Sequence, residues 1–211
     1  MQKIVLASSS PRRKEILELL GLEFEVVDSQ YDEDLITTND PVELVEELAL
    51  QKALKVARDY PDAVILGGDT TVTFGEGWIA KASSKDEAKD MFRELLGKTH
   101  QVVTGVAVVN SLTGEQFIGH EEGSVTFREG SESELDQYVD NEKNWRGFAG
   151  AYALQGGAAP FALNQTGKLS AIIGMPIELT CDLLEQAGIS LEVDPVEIEH
   201  SLYGMKIGIE E

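Results

Sequence analysis

The polarity pattern begins with a brief apolar run, Ile4, Val5 and Leu6, of the kind that fills a strand buried on both faces. Three serines break it. Ser10 stands at a helix N-cap and Pro11 at the first helical position, where a missing N–H costs nothing. The helix this predicts carries Ile16, Leu17, Leu19 and Leu20 on its apolar face and ends at Gly21. Phe24, Val26 and Val27 alternate with Glu23 and Glu25 as a second strand, which leads into an acidic loop from Asp28 to Asp40. Asp40 and Pro41 then open a long helix towards Tyr60, with Leu44, Leu48, Ala49, Ala53, Leu54 and Ala57 along one face.

The run from Ala63 to Phe74 is strongly β-forming, and Trp78, Ile79 and Ala80 make a short return strand ending at Lys81. A helix is expected from Ser84 to Leu96, stopped by Gly97. Two β-rich runs, His100 to Asn110 and Gln116 to Arg128, flank a Leu-Thr-Gly turn and read as an antiparallel hairpin. Ser131 to Val139 reads as a helix, Trp145 to Gly157 as a glycine-rich turn-and-strand segment, and Leu169 to Ile173 as a strand. Pro176 to Gln186 reads as a helix closed by Gly188, followed by a loosely ordered acidic tail. No internal repeat or low-complexity linker interrupts this order.

Composition narrows the class. A chain of 211 residues that is 42% hydrophobic and 26% charged can bury a sizeable core as one domain or two closely joined lobes. No apolar stretch reaches membrane-span length and the start lacks a signal-peptide pattern, so a cytoplasmic location is expected. Cys181 is the only cysteine, which rules out an internal disulfide and leaves it as a buried helix residue. His100, His120 and His200 lack metal-ligand spacing. A formal charge of -21 repels polyanions, so nucleic acid is not an expected partner, whereas a small phosphorylated ligand is compatible with a local basic pocket.

Two features carry chemistry. The first turn of a helix favours acids, yet here it holds Arg12, Arg13 and Lys14. Either this is a solvated basic turn, or the free N–H groups and the arginines converge on an anion such as phosphate. The absence of a Gly-Lys-Ser/Thr ending separates the segment from a P-loop. The second feature is Asp69, an acid between Leu66 and Val72 in a run that should be buried. Unpaired, its charge would be costly there; it is either a turn residue held by local N–H groups or a metal ligand or base. Gly67 and Gly68 beside it permit close approach of a backbone or ligand. The acidic loop containing Glu33 either holds a cation or is solvated, Lys52 lies on a later turn of the long helix, and Gln155 offers both a donor and an acceptor.

Taken together, Leu-Ala-Ser-Ser-Ser-Pro-Arg-Arg at 6–13, Gly-Gly-Asp-Thr-Thr-Val at 67–72, Lys-Thr-His-Gln-Val-Val-Thr-Gly at 98–105, Ala-Leu-Gln-Gly at 153–156 and Ile-Gly-Met-Pro-Ile at 173–177 resemble the Maf-type nucleoside triphosphate pyrophosphatases in order and over nearly the whole length. The resemblance implies an α/β fold, an elongated mixed sheet with flanking helices and two lobes around a cleft, similar to inosine triphosphate pyrophosphatases, often as a homodimer. It implies hydrolysis of a nucleoside triphosphate between the α and β phosphates with a divalent cation, Mg or Mn. Arg12, Thr70 and Gln155 match the branch acting on dTTP and UTP. Asp69 matches the proton acceptor, Glu33 and Asp69 the metal-binding acids, and Ser8, Arg12, Arg13, Lys52 and Lys81 the residues around the triphosphate. Phe148 and Ala82 depart from the lysine and proline usual in the family. That leaves room for broader base specificity, and a nucleotide-binding regulator of septum formation is the alternative outside catalysis.

Overall fold

The computed structural model describes residues 2–75, 77–79 and 81–204. Its frame is a mixed sheet built on three twelve-residue strands. In chain order the elements are β1 (Lys3–Leu6), α1 (Pro11–Leu19), β2 (Glu25–Val26), α2 (Pro41–Ala57), β3 (Ala63–Phe74), β4 (Gly77–Ile79), α3 (Lys85–Leu95), β5 (Thr99–Asn110), β6 (Gln116–Phe127), α4 (Glu132–Asp140), β7 (Ala162–Thr166), α5 (Leu169–Ile173), α6 (Ile177–Gln186) and α7 (Pro195–Ser201). The sheet runs β2-β1-β3-β5-β6-β7, with β4 also pairing β3. β1 is parallel to β2 and β3, and the β3-β5-β6-β7 ladder is antiparallel.

Side chains alternate faces along a strand, and the alternation of β3 and β5 divides the core. Val64, Leu66, Val106 and Val108 pack with α1, α5 and α6, while Val72 and Val102, farther along the same face, join an aromatic cluster with Phe92, Phe127, Tyr138 and Trp145. Ile65 and Val109 face the other way, against Ala53 and Val56 of α2. Two apolar bodies therefore share one face of the sheet, and a polar break at Gly68, Thr70 and Thr104 separates them.

The same register opens the edge of β3. β1 pairs β3 only over 63–66 and β4 only over 72–74. Residues 67–71 thus have β5 on one side and no paired strand on the other, among the described residues. A cleft of about 750 Å³ opens there. It lies beyond the carboxyl end of β1, where open α/β sheets place their ligands.

Helix α2 crosses this region very closely. A Cβ on Gly67 would sit 2.0 Å from the Ala49 carbonyl oxygen, and one on Gly105 would sit 2.4 Å from that of Val45. The approach of a backbone that the paired glycines permitted is therefore real, and α2 makes it.

Several expectations need correction. Leu169–Ile173 is the helix α5, and the strand of that region is β7. A five-residue apolar run has no length from which to tell period 2 from period 3.6, and all five residues are buried. Residues 145–157 form turns with a single bridge from Ala149 to Lys81 rather than a strand. The tail contains α7, capped by Asp194. Ser10 occupies the N-cap of α1, but its side chain makes no capping bond. The second strand is reduced to Glu25–Val26, and α2 ends at Ala57. Ala80 and residues 205–211 lie outside the described residues. Cys181 is buried, as expected, in α6.

The close crossing sets a test. Gly67→Ala is expected to lower stability by about 3 kcal/mol, because the obstacle is backbone and cannot swing aside. Gly77→Ala, with nothing within 4 Å, should stay within about 0.5 kcal/mol. Urea unfolding of both variants checks the contrast.

Candidate active site

Asp69 lies in the middle of β3 at the open edge, and its side chain points to the α2 face. Because Gly67 admits α2, Lys52 reaches it: Nζ donates to Asp69 Oδ1 at 2.6 Å and to Glu33 Oε1 at 2.7 Å. Lys52 and Asp69 side chains are each 9% exposed, whereas Glu33 is 42% exposed. The buried pair needs this geometry, since either ion alone would be left without compensation. Glu33 arrives from the acidic loop on a short 3-10 turn, Glu33–Leu35, whose start is capped by Asp32. Lys81, at the end of the β3-β4 hairpin, donates to both Glu33 oxygens at 3.3 and 3.2 Å. Partial burial works to raise the Glu33 carboxyl, but Lys52 and Lys81 outweigh it and hold it below its ordinary value.

On the other face, α1 delivers two arginines. Arg13 Nε donates to the Gly174 carbonyl at 2.9 Å, and its two terminal nitrogens donate to Ser8 Oγ at 3.2 Å and Thr70 Oγ1 at 3.1 Å. Gly68 makes room for it, the Arg13 Nε standing 3.1 Å from where a Cβ would be. Burial lowers the Arg13 pKa, while Asp69 and Glu33 oppose the shift. Arg12 lies with its guanidinium carbon 4.2 Å from the centroid of the Phe148 ring, and its Nε is buried without a hydrogen-bond partner among the described residues. Burial, reinforced by Arg13, pushes Arg12 down to about 10, so it remains a cation at neutral pH.

The cleft thus brings together Ser8, Arg12, Arg13, Glu33, Lys52, Asp69, Thr70, Lys81 and Gln155. Gln155 stands on the turn-rich segment that forms the far wall, with a buried Nε2 lacking a partner among the described residues. Six cationic and four acidic side chains line the cavity, so it is locally cationic in a chain of charge -21. Arg12 and Arg13 both line this cavity.

Some contributors were not singled out from sequence. Thr104 donates to Thr70 Oγ1 at 3.0 Å or to the Ala171 carbonyl at 2.8 Å and ties α5 to the cleft floor. The Gly174 carbonyl anchors Arg13. Both residues lie inside stretches that carried the family resemblance, the only sequence signal that marks them. Tyr152 lines the cleft and meets buried His100 at 2.7 Å; burial pushes His100 down to about 4.

The family profile described as Maf-like protein matches residues 3–187. The chain belongs to the Maf family. A dTTP/UTP pyrophosphatase from Bacillus cereus (strain G9842) is 42% identical over 191 residues, covering 90% of this chain and 98% of that protein. One from Bacillus anthracis is 41% identical with the same coverage. Among solved structures, a HAM1 protein from Coxiella burnetii matches with a TM-score of 0.46 and 17% identity, over 97% of this chain and all of that one. No helix among the described residues of this Maf-family chain is long and apolar enough to cross a membrane.

The lysine bridge is open to a direct test. Lys52→Met should cost about 3 kcal/mol by leaving Asp69 buried and unpaired, and adding Asp69→Asn should recover part of that loss. A double-mutant cycle in urea reads the coupling.

Proposed function

We propose that this protein hydrolyses nucleoside triphosphates, dTTP and UTP foremost, to the monophosphate and pyrophosphate. The carrying observation is the Lys52-bridged pair of carboxylates at the open edge of β3, faced across the cleft by Arg13. Membership of the Maf family and the names of the Bacillus relatives support the same reaction.

The division of labour follows from charge. Arg12, Arg13, Lys52 and Lys81 supply fixed cations for a triphosphate, and Ser8 adds a hydroxyl beside Arg13. These groups favour the transition state as negative charge builds on departing pyrophosphate. Asp69 accepts the proton of the attacking water, held in place by Lys52. The oxygen of that water bonds to the α-phosphorus while the bond from that phosphorus to the bridging oxygen breaks, and the electron pair leaves with pyrophosphate. Thr70 and Gln155 face the base, whose edge suits the Gln155 amide, its Nε2 without a partner among the described residues.

A divalent cation belongs to the proposal. Among the described residues no group of three or more His, Cys, Asp or Glu forms a metal cage. Glu33 and Asp69 nevertheless fit Mg²⁺ or Mn²⁺, because such ions take one or two carboxylates and complete their shell with water and substrate phosphates. When bound, the ion neutralises phosphate charge. We extend the proposal to a homodimer working in the cytoplasm, on the strength of the family resemblance and of a nucleotide substrate.

Purified protein incubated with Mg²⁺ or Mn²⁺ and a panel of nucleoside triphosphates should release monophosphate and pyrophosphate, fastest from dTTP or UTP. Asp69→Asn should fold and lose at least about a hundredfold in turnover. Orthophosphate as the product, or an active Asp69→Asn, would overturn this reading.

A further inference from the structure

The family match ends at residue 187, yet α7, at Pro195–Ser201, is firmly built into the structure. Leu202, which follows it, is 1% exposed and belongs to the core cluster that also holds Leu169 and Ile173 of α5. Glu199 of α7 is itself buried, an uncommon place for a carboxylate. Its Oε1 accepts the Ser170 N–H at 3.1 Å, and its Oε2 is buried with no partner among the described residues.

What Glu199 grips explains its position. The N-cap residue of α5 is Lys168, whose side chain makes no capping bond. Glu199 therefore supplies from another helix the acceptor that an Asp or Ser would ordinarily provide. Ser170 is used at every polar atom: its carbonyl accepts from Gly174 N at 3.0 Å and Met175 N at 2.9 Å, and its hydroxyl from Ile177 N at 3.1 Å. These bonds shape the left-handed turn at Gly174, where φ is +118°. The carbonyl of that turn receives Arg13 Nε at 2.9 Å. A continuous run of contacts thus leads from α7 through Ser170 and Gly174 to an arginine of the cleft, and α5 is too short to keep its shape without support at both ends.

We propose that Glu199 is a positioning residue: through Ser170 it fixes the α5 turn whose Gly174 carbonyl aims Arg13 at the triphosphate. The C-terminal helix α7 is then part of the substrate-binding apparatus although it never touches the cleft. This rests on the pyrophosphatase reading for its kinetic readout and on nucleotide binding alone for its second readout.

The test measures dTTP affinity by calorimetry and kcat/KM in the full chain. Glu199→Ala should weaken affinity and kcat/KM about tenfold, the scale of a catalytic arginine misplaced by a fraction of an ångström. Glu199→Gln, whose amide oxygen still accepts the Ser170 N–H, should stay within about twofold of the parent. Arg13→Lys removes the bond to Gly174, so adding Glu199→Ala to it should cost less than about twofold more. Glu199→Leu replaces the alanine variant if that one folds poorly, with the same expectations. Unchanged affinity in Glu199→Ala, a glutamine variant as impaired as the alanine one, or a full tenfold further loss in the Arg13→Lys background would overturn the proposal. A parent that binds dTTP without turning it over would contradict the pyrophosphatase reading, while the affinity series would still decide the role of Glu199.

Discussion

A single buried ammonium holds the site together. Asp69 is an acid in the centre of a β-strand, nearly closed to solvent, and it survives there because Lys52 is delivered to within 2.6 Å. That delivery constrains the fold far beyond two residues. Lys52 reaches the strand only if α2 lies almost in contact with the sheet, and that contact requires Gly67 and Gly105 beneath Ala49 and Val45. It also requires the edge of β3 to be open, which follows from the short β1 and β4 ladders that leave 67–71 unpaired on that side among the described residues. Glycine placement, strand length and the ion pair are parts of one requirement.

The arginine side of the cleft obeys a different logic. Arg12 and Arg13 stand at the positive end of α1, where a helix opposes them, and burial opposes them further. Arg13 is held by a carbonyl and two hydroxyls, none of which neutralises it. Arg12 has an aromatic face and an Nε without a partner among the described residues. Neutral supports leave the charge of both cations intact, and the chain's formal charge of -21 opposes the long-range approach of larger polyanions.

What was legible in the sequence and what was not divides along physical lines. Local signals read well: Ser10-Pro11, Asp40-Pro41, Ser84 and Ser131 mark helix starts that the structure contains. The incongruous charges, an acid at 69 and bases at 12 and 13, pointed to the cleft because each breaks a rule that packing alone would keep. Leu169–Ile173 was misread because five buried apolar residues carry no usable period. The wall from 145 to 157 is built from turns at Gly147, Gly150 and Ala151, all with positive φ, whose arrangement depends on distant partners. The roles of the Gly174 carbonyl and of α7 were invisible, since a backbone acceptor has no letter in the sequence and the tail acts through contacts 29 residues apart.

The claim at the centre of this account is that Asp69 and its lysine direct water to the α-phosphorus, with pyrophosphate leaving into the cationic wall. Single-turnover hydrolysis of dTTP in H₂¹⁸O, with mass spectrometry of both products, tests it most directly. The account predicts the label in the monophosphate and none in pyrophosphate. Label in pyrophosphate would place the attack on the β-phosphorus and contradict it.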